Sequence, residues 1–353
     1  MNGKKFAKFS ISLTLVLLIL VGASQIAIDP LFQYHQPWFG LKPVVSDERY
    51  QNAGVAKTFD YENVIIGNSL AENFYVSDVE KMFGGKTVKL TAAGSHTKDW
   101  TYLLEILKNK HPKNILINLD PYIMEANPDE IKHELPEYLY DMNYLNDVNY
   151  LFNFSILNNY TYNIIKCNRN NRIPDYDKVF SWEGDIKTGH KEAMQHYQRP
   201  DKTSNYIDAE GLQQTSLSNL ENLTKYYDLM PDTNFVFFCS PFSILYWDKA
   251  NQGNMLGAWR MTYQSAAENL LKHKNVSVFF WSDEEICNTI CNLDYYSDEA
   301  HYNSDICKMI CNRISQNNGL LNKSNYKYFV NRFFDFLESY DYDSIFASNE
   351  VLG

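Results

Sequence analysis

The chain reads as an α/β protein built on a doubly wound, mostly parallel five-stranded sheet, with a helical insertion and an N-terminal transmembrane helix. Three observations predict this. Short apolar runs alternate with helical patterns, one long polar stretch studded with aromatics breaks the alternation, and a charge-free apolar segment stands at the amino terminus. Alternation of that kind is the signature of βαβ units, in which parallel strands are joined by crossover helices.

At the amino terminus, Lys4, Lys5 and Lys8 precede an uncharged stretch from Phe9 to Ile28, about the 20 residues a helix needs to cross a bilayer. The lysines predict a cytoplasmic start, with everything after Asp29 outside. Val21-Gly22-Ala23 offers the small residues of a signal-peptide cleavage site, which would make the domain secreted. Because apolar character continues past that point to Ile28, the uncleaved single-pass anchor is the favoured expectation. The chain then divides into residues 1–28 as anchor (or signal peptide) and 29–353 as an extracytoplasmic domain.

Strands are expected at Val64–Ile66, Val88–Leu90, Ile115–Leu119, Phe235–Cys239 and Val276–Phe280, with helices such as Trp100–Lys108 and Trp259–Leu271 between them. Ser77 with Glu80 forms a capping-box pattern, and Gly84-Gly85 ends the helix that follows. Between about 121 and 231 the rhythm breaks into an asparagine-rich stretch carrying Tyr138, Tyr140, Tyr144, Tyr150, Phe152 and Phe154. Two readings of this insertion compete: a cap over the site whose tyrosine faces bind sugar rings, or a helical subdomain that buries the rings in its own core. The tail from Tyr326 to Phe346 has the pattern of an amphipathic helix packing back on the domain.

A net charge of −11 argues against nucleic acid as a partner, because phosphate backbones are bound by clustered Lys and Arg. The same charge disfavours electrostatic attraction to anionic membranes or polyanionic teichoic acids.

The residues with most chemical content are Ser69, in Gly67-Asn68-Ser69 at the end of the first apolar run, and Asp298 with His301 in Ser297-Asp298-Glu299-Ala300-His301. A serine hydroxyl is a poor nucleophile at neutral pH unless an imidazole takes its proton. That imidazole in turn needs a carboxylate on its other nitrogen to set tautomer and charge. Asp298 can reach His301 Nδ1 across three residues, which leaves Nε2 to face a serine delivered by the first strand. Open α/β sheets hold their ligands at the carboxyl ends of the strands, where Ser69 is expected.

In motif order, these residues resemble the SGNH/GDSL hydrolase superfamily, whose nucleophile follows the first strand and whose D-x-x-H motif precedes the last helix. The resemblance spans roughly Asn63 to Ile314, with a long interruption. It implies a flavodoxin-type sheet and an oxyanion hole built from the Ser69 and Gly94 N–H groups. A third donor in the family is an asparagine side chain after the next strand. Here that position is met by Asn118 in a shifted register or replaced by Asp120. More loosely, the layout resembles membrane-anchored extracytoplasmic members: the D-alanyl-lipoteichoic acid biosynthesis family and polysaccharide O-acyltransferases or esterases. This implies ester chemistry on an acylated carbohydrate or polyol substrate, beside a membrane-bound acyltransferase, with no cofactor and no metal.

The remaining candidates are weaker. Cys287/Cys291 and Cys307/Cys311 lie four apart, so each pair fits one helical face as core thiols, with disulfides or zinc as alternatives. His96 lies close to Gly94, Asn73 lies in the turn after Ser69, and His190 and His196 show no metal-binding spacing. The functional expectation is an extracytoplasmic serine esterase or O-acyltransferase working through an acyl-enzyme. The competing expectation is a catalytically silent envelope scaffold or glycan-binding protein.

Overall fold

The computed structural model describes residues 3–205 and 207–347. Five strands, β1 (Asn63–Gly67), β2 (Thr87–Thr91), β3 (Asn114–Leu119), β4 (Asn234–Cys239) and β5 (Val276–Phe279), form one sheet in the order β2-β1-β3-β4-β5. Every neighbouring pair is parallel. β1, β3, β4 and β5 read as mostly apolar runs because helices cover both faces of the sheet; β1 and β2 are buried along their whole length, β2 with Lys89 inside.

The chain leaves β1 toward β2 on one side, then passes back across β1 to β3 on the other. Since such crossovers are right-handed, this reversal places successive helices on opposite faces. Helix Val76–Phe83 packs with Ser304–Ser315, while Thr97–Leu107, Ala209–Leu229 and Leu256–Leu270 pack side by side. Between β1 and β3 the loops diverge, opening a crevice at the carboxyl ends of the strands.

The interruption is shorter than expected. Ala209–Leu229 belongs to the sheet's own crossover, packing on both flanking helices, so the insertion proper ends near residue 208. Its aromatic residues divide. Tyr140 and Tyr150 are buried, whereas Tyr144, Phe152 and Phe154 are exposed.

The capping box does not form. Tyr75 is the N-cap of Val76–Phe83 and makes no side-chain cap bond; the Ser77 N–H and hydroxyl instead donate to the Asp177 carboxylate at 2.7 and 3.1 Å. Glu80 accepts from the Thr87 N–H at 3.0 Å. A carboxylate supplied by the insertion is a stronger acceptor than a local hydroxyl. Gly84, at φ 74°, does end the helix.

The most apolar 18-residue window of the amino-terminal helix Gly3–Ile28 has a mean hydropathy of 2.4, and 11% of that window is buried. It is long and apolar enough to cross a membrane. Its last turns are different: Gln25 is buried and accepts from the Thr161 hydroxyl, and the Ala27 carbonyl accepts from the Trp38 N–H at 3.2 Å. Asp29 accepts from the Gln33, Tyr34 and His35 N–H groups and from the Tyr150 hydroxyl at 2.6 Å. The helix foot is thus locked into the domain.

At the other end of the chain, helix Tyr326–Ser339 packs on Leu256–Leu270. Phe333 and Phe334 meet the buried Trp247 ring at 5.5 and 5.6 Å, as the amphipathic pattern predicted.

All six cysteines are free thiols; Cys239, Cys287, Cys307 and Cys311 are buried, and Cys167 and Cys291 are half-buried. Burial pushes the Cys287 thiol up to about 11 and raises those of Cys239, Cys307 and Cys311 as well. A thiol reagent should therefore modify Cys167 and Cys291 in the native protein and the other four only after denaturation. Rapid native labelling of Cys307 or Cys311, read by peptide mass spectrometry, would contradict the packing.

Candidate active site

Ser69 follows β1 directly, as the first residue of a single helical turn, Ser69–Ala71, capped by the Asn68 side chain. The turn is held from below by a buried trio. The Asn68 N–H donates to Asn118 Oδ1 at 3.3 Å, Asn118 Nδ2 donates to Asn68 Oδ1 at 3.0 Å, and Asn68 Nδ2 donates to Asp120 Oδ2 at 3.1 Å. Asn118 Nδ2 also donates to Asp120. Burial pushes the Asp120 carboxyl up to about 6 against these bonds and that from the Ile123 N–H. Gly67 is required here, because a Cβ would lie 2.2 Å from Asn118 Oδ1.

His301 comes from a loop after β5, clasped by a Tyr296–Tyr302 bridge and a bond from the Ser297 N–H to the His301 carbonyl at 2.9 Å. The end of β4 anchors this loop: the Ser243 hydroxyl donates to the Glu299 carbonyl at 2.8 Å, and the Tyr296 hydroxyl to the Pro241 carbonyl at 2.7 Å. These constraints converge on one geometry. Ser69 Oγ lies 2.8 Å from His301 Nε2, and His301 Nδ1 lies 2.8 Å from Asp298 Oδ2. The other Asp298 oxygen accepts from the Ala300 and His301 N–H groups at 2.8 Å each. Burial raises the Asp298 carboxyl, but the His301 contact and these two N–H groups outweigh it and hold it below its usual value. An ionised Asp298 is what orients the imidazole.

Ser69, Asp298 and His301 line one cavity of about 490 Å³. The turn after β2 forms part of its wall, tied to the nucleophile by two bonds onto the Gly67 carbonyl, from the Ala92 N–H and the Ser95 hydroxyl, each 3.0 Å. Gly94 takes φ +66° in this turn, and a Cβ there would meet His133 at 3.1 Å. Among the described residues, neither the Ser69 nor the Gly94 N–H has a hydrogen-bond partner. These two expected oxyanion donors are free.

Asn118 is placed differently from the expected third donor. Its amide hydrogens are directed to Asn68 and Asp120, and it is completely buried beneath the turn. Asp120 is equally buried and caps Ile123. Asn73 also lies inside: its amide donates to the Tyr302 carbonyl at 3.0 Å and accepts from the Ser181 hydroxyl at 2.9 Å, bridging the nucleophile turn to the histidine loop. His96 is the N-cap of Thr97–Leu107.

Several site residues had no readable signal in the sequence. Trp182, from the insertion, donates from Nε1 to the Ser69 carbonyl at 3.2 Å and sets its ring edge-on to His301 at 6.0 Å. Ile186, Lys187, Glu192 and His196 extend the same wall. The insertion does roof the cavity, through this segment rather than through its tyrosines.

Glu72, one turn after Ser69, borders the cavity and is nearly buried beside Glu48. Glu48 accepts from the Ala93 N–H at 2.8 Å while Arg49 donates to the Ala93 carbonyl at 2.6 Å, so the Gly94 turn is gripped from both sides. Buried Lys89 donates to the Glu72 and Val179 carbonyls at 2.7 Å each. Burial, and then the Glu48 carboxylate, push Glu72 up to about 9, and burial raises Glu48 too. Two neighbouring carboxyls largely removed from water cannot both ionise cheaply, so each is raised above its ordinary value.

Comparison with protein-family models and with curated proteins finds no match for this chain.

The Glu72 shift sets a pH dependence of stability. A carboxyl with a raised folded-state pKa binds more protons folded than unfolded, so stability falls as pH rises from its ordinary value of 4.5 to about 9. Glu72→Gln removes this slope. Its thermal midpoint should gain on wild type progressively across that window; parallel curves would refute the raised Glu72 carboxyl.

Proposed function

We propose that this chain is a serine esterase or O-acyltransferase of the SGNH/GDSL type, acting through an acyl-enzyme on ester groups of cell-envelope glycans or related polymers. The observation that carries this reading is the continuous relay Ser69 Oγ, His301 Nε2, His301 Nδ1, Asp298 Oδ2, with 2.8 Å at both hydrogen bonds. A binding scaffold has no need of a nucleophile and base in hydrogen-bond register.

In the proposed mechanism, His301 takes the Ser69 proton as Oγ attacks the ester carbonyl. Asp298 stabilises the imidazolium that forms, and the Ser69 and Gly94 N–H groups receive the oxyanion. His301 then returns the proton to the departing alkoxide. The acyl group leaves Ser69 when a second nucleophile, activated by His301, attacks it; water gives hydrolysis, and a carbohydrate or polyol hydroxyl gives transfer. Trp182 and the 186–196 wall narrow access to the acyl-enzyme, which favours a bound hydroxyl over bulk water.

The apolar helix supports a membrane anchor; Lys4, Lys5 and Lys8 before it support an amino terminus inside with the domain outside; and the family resemblance adds a membrane-bound acyltransferase as partner. The bonds from Gln25, Ala27 and Asp29 hold the domain against the end of this helix; what favours retention over cleavage near Ala23 is the apolar character that continues to Ile28.

A fluorophosphonate probe should label wild type at Ser69 and leave Ser69→Ala unlabelled. Asp298→Asn should slow labelling by about 10³ to 10⁴-fold, because the imidazole then takes the wrong tautomer. Undiminished labelling of Ser69→Ala removes the assignment. Hydrolysis of acyl esters and acylated glycans by wild type, lost in Ser69→Ala, then identifies the substrate class.

A further inference from the structure

We infer that the insertion carries a second membrane contact: the surface formed by residues 38–39 and 142–165 rests in the lipid interface beside the amino-terminal helix. This rests on the reading of that helix as a retained membrane anchor.

The first observation is where large apolar side chains are exposed. Outside the helix itself, most of those among the described residues fall in these two segments, with Phe39 81%, Leu145 87% and Phe154 78% exposed, joined by Trp38, Phe152 and Tyr162. Elsewhere they occur singly, as at Leu229 and Met261. Isolated apolar residues are normal on a protein surface, but a concentrated patch marks an interaction site.

Both segments are fastened to the foot of the helix. A Cβ on Gly22 would lie 3.4 Å from the Phe152 ring, Tyr34 stacks on Tyr144 at 6.3 Å, and Lys42 and Asn168 exchange two hydrogen bonds at 2.8 and 3.0 Å. The patch is therefore continuous with the exposed apolar helix, and that continuity selects a bilayer as its occupant. Wherever the helix leaves the hydrocarbon, these residues sit at the boundary.

Charge points the same way. Residues 142–165 include one charged side chain, Asp147, and its carboxylate accepts from the Tyr34 hydroxyl at 2.6 Å. The polar residues between are mostly asparagines, less costly to bring to a headgroup layer than ions. Beyond them Lys166, Arg169 and Arg172 are exposed and basic, suited to lipid phosphates at the rim. Aromatic side chains with polar neighbours are the usual occupants of this layer. The contact would hold the domain at a set tilt rather than let it swing on the helix.

The test uses full-length protein in phosphatidylcholine vesicles containing phosphatidylglycerol. An environment-sensitive fluorophore is placed on Leu145→Cys or Phe154→Cys, with Met261→Cys as the aqueous control, in a background where Cys167 and Cys291 are Ser. Vesicle flotation is measured first. Floating protein whose Leu145 and Phe154 labels resist aqueous iodide but are quenched by acyl-chain nitroxide lipids, while the Met261 label shows the reverse, is the expected result. As a label-free check, Phe39→Asp/Leu145→Asp/Phe154→Asp should abolish the fall in amide exchange that vesicles produce over 142–165, while the protein still floats. Protein that floats with both labels open to iodide overturns the lipid contact and points to a protein occupant. Protein that does not float overturns the anchor and this contact together.

Discussion

Asn118 is the residue on which the geometry of the candidate site depends. At the fork where β1 and β3 separate, it binds the backbone and side chain of Asn68 and the carboxyl of Asp120, all out of water. Buried polar groups impose specificity when every partner is satisfied. Here the satisfied arrangement sets the direction in which the chain leaves β1, and with it the position of Ser69 Oγ. The same contact excludes any side chain at position 67.

Around this fork the site is assembled from pieces distant in sequence, each tied to another. The turn after β2 hangs from the Gly67 carbonyl; the histidine loop hangs from the end of β4; Asn73 joins the nucleophile turn to Tyr302. Trp182 closes over both the Ser69 backbone and the His301 ring. The Ser69–His301–Asp298 distances are thus held by strands and their immediate loops, which are stiffer than a free surface loop.

The insertion has two separate tasks at its two ends. Residues 142–165 receive the foot of the apolar helix, and residues 181–196 roof the cavity. One peptide segment therefore touches both the foot of that helix and the wall of the cavity.

By itself the sequence determined the parallel sheet, its five strands, the apolar helix and the trio Ser69, Asp298 and His301. Those features are local: an apolar run needs only its own residues to be recognised, and Asp298 reaches His301 within one loop. The packing of the tail and the cysteine pairs was also legible, through helical spacing. Tertiary structure alone decided the rest. Asn118 lies under the nucleophile turn because β1 and β3 are neighbours, a fact of sheet order and not of motif spacing. Asp177 displaced the Ser77–Glu80 box because a carboxylate 100 residues away reached Ser77 first. The Glu72 carboxyl is raised beside Glu48, and Trp182 meets His301, only because folding places these side chains together. Burial and pairing are set by what the rest of the chain places nearby, and no local pattern encodes that.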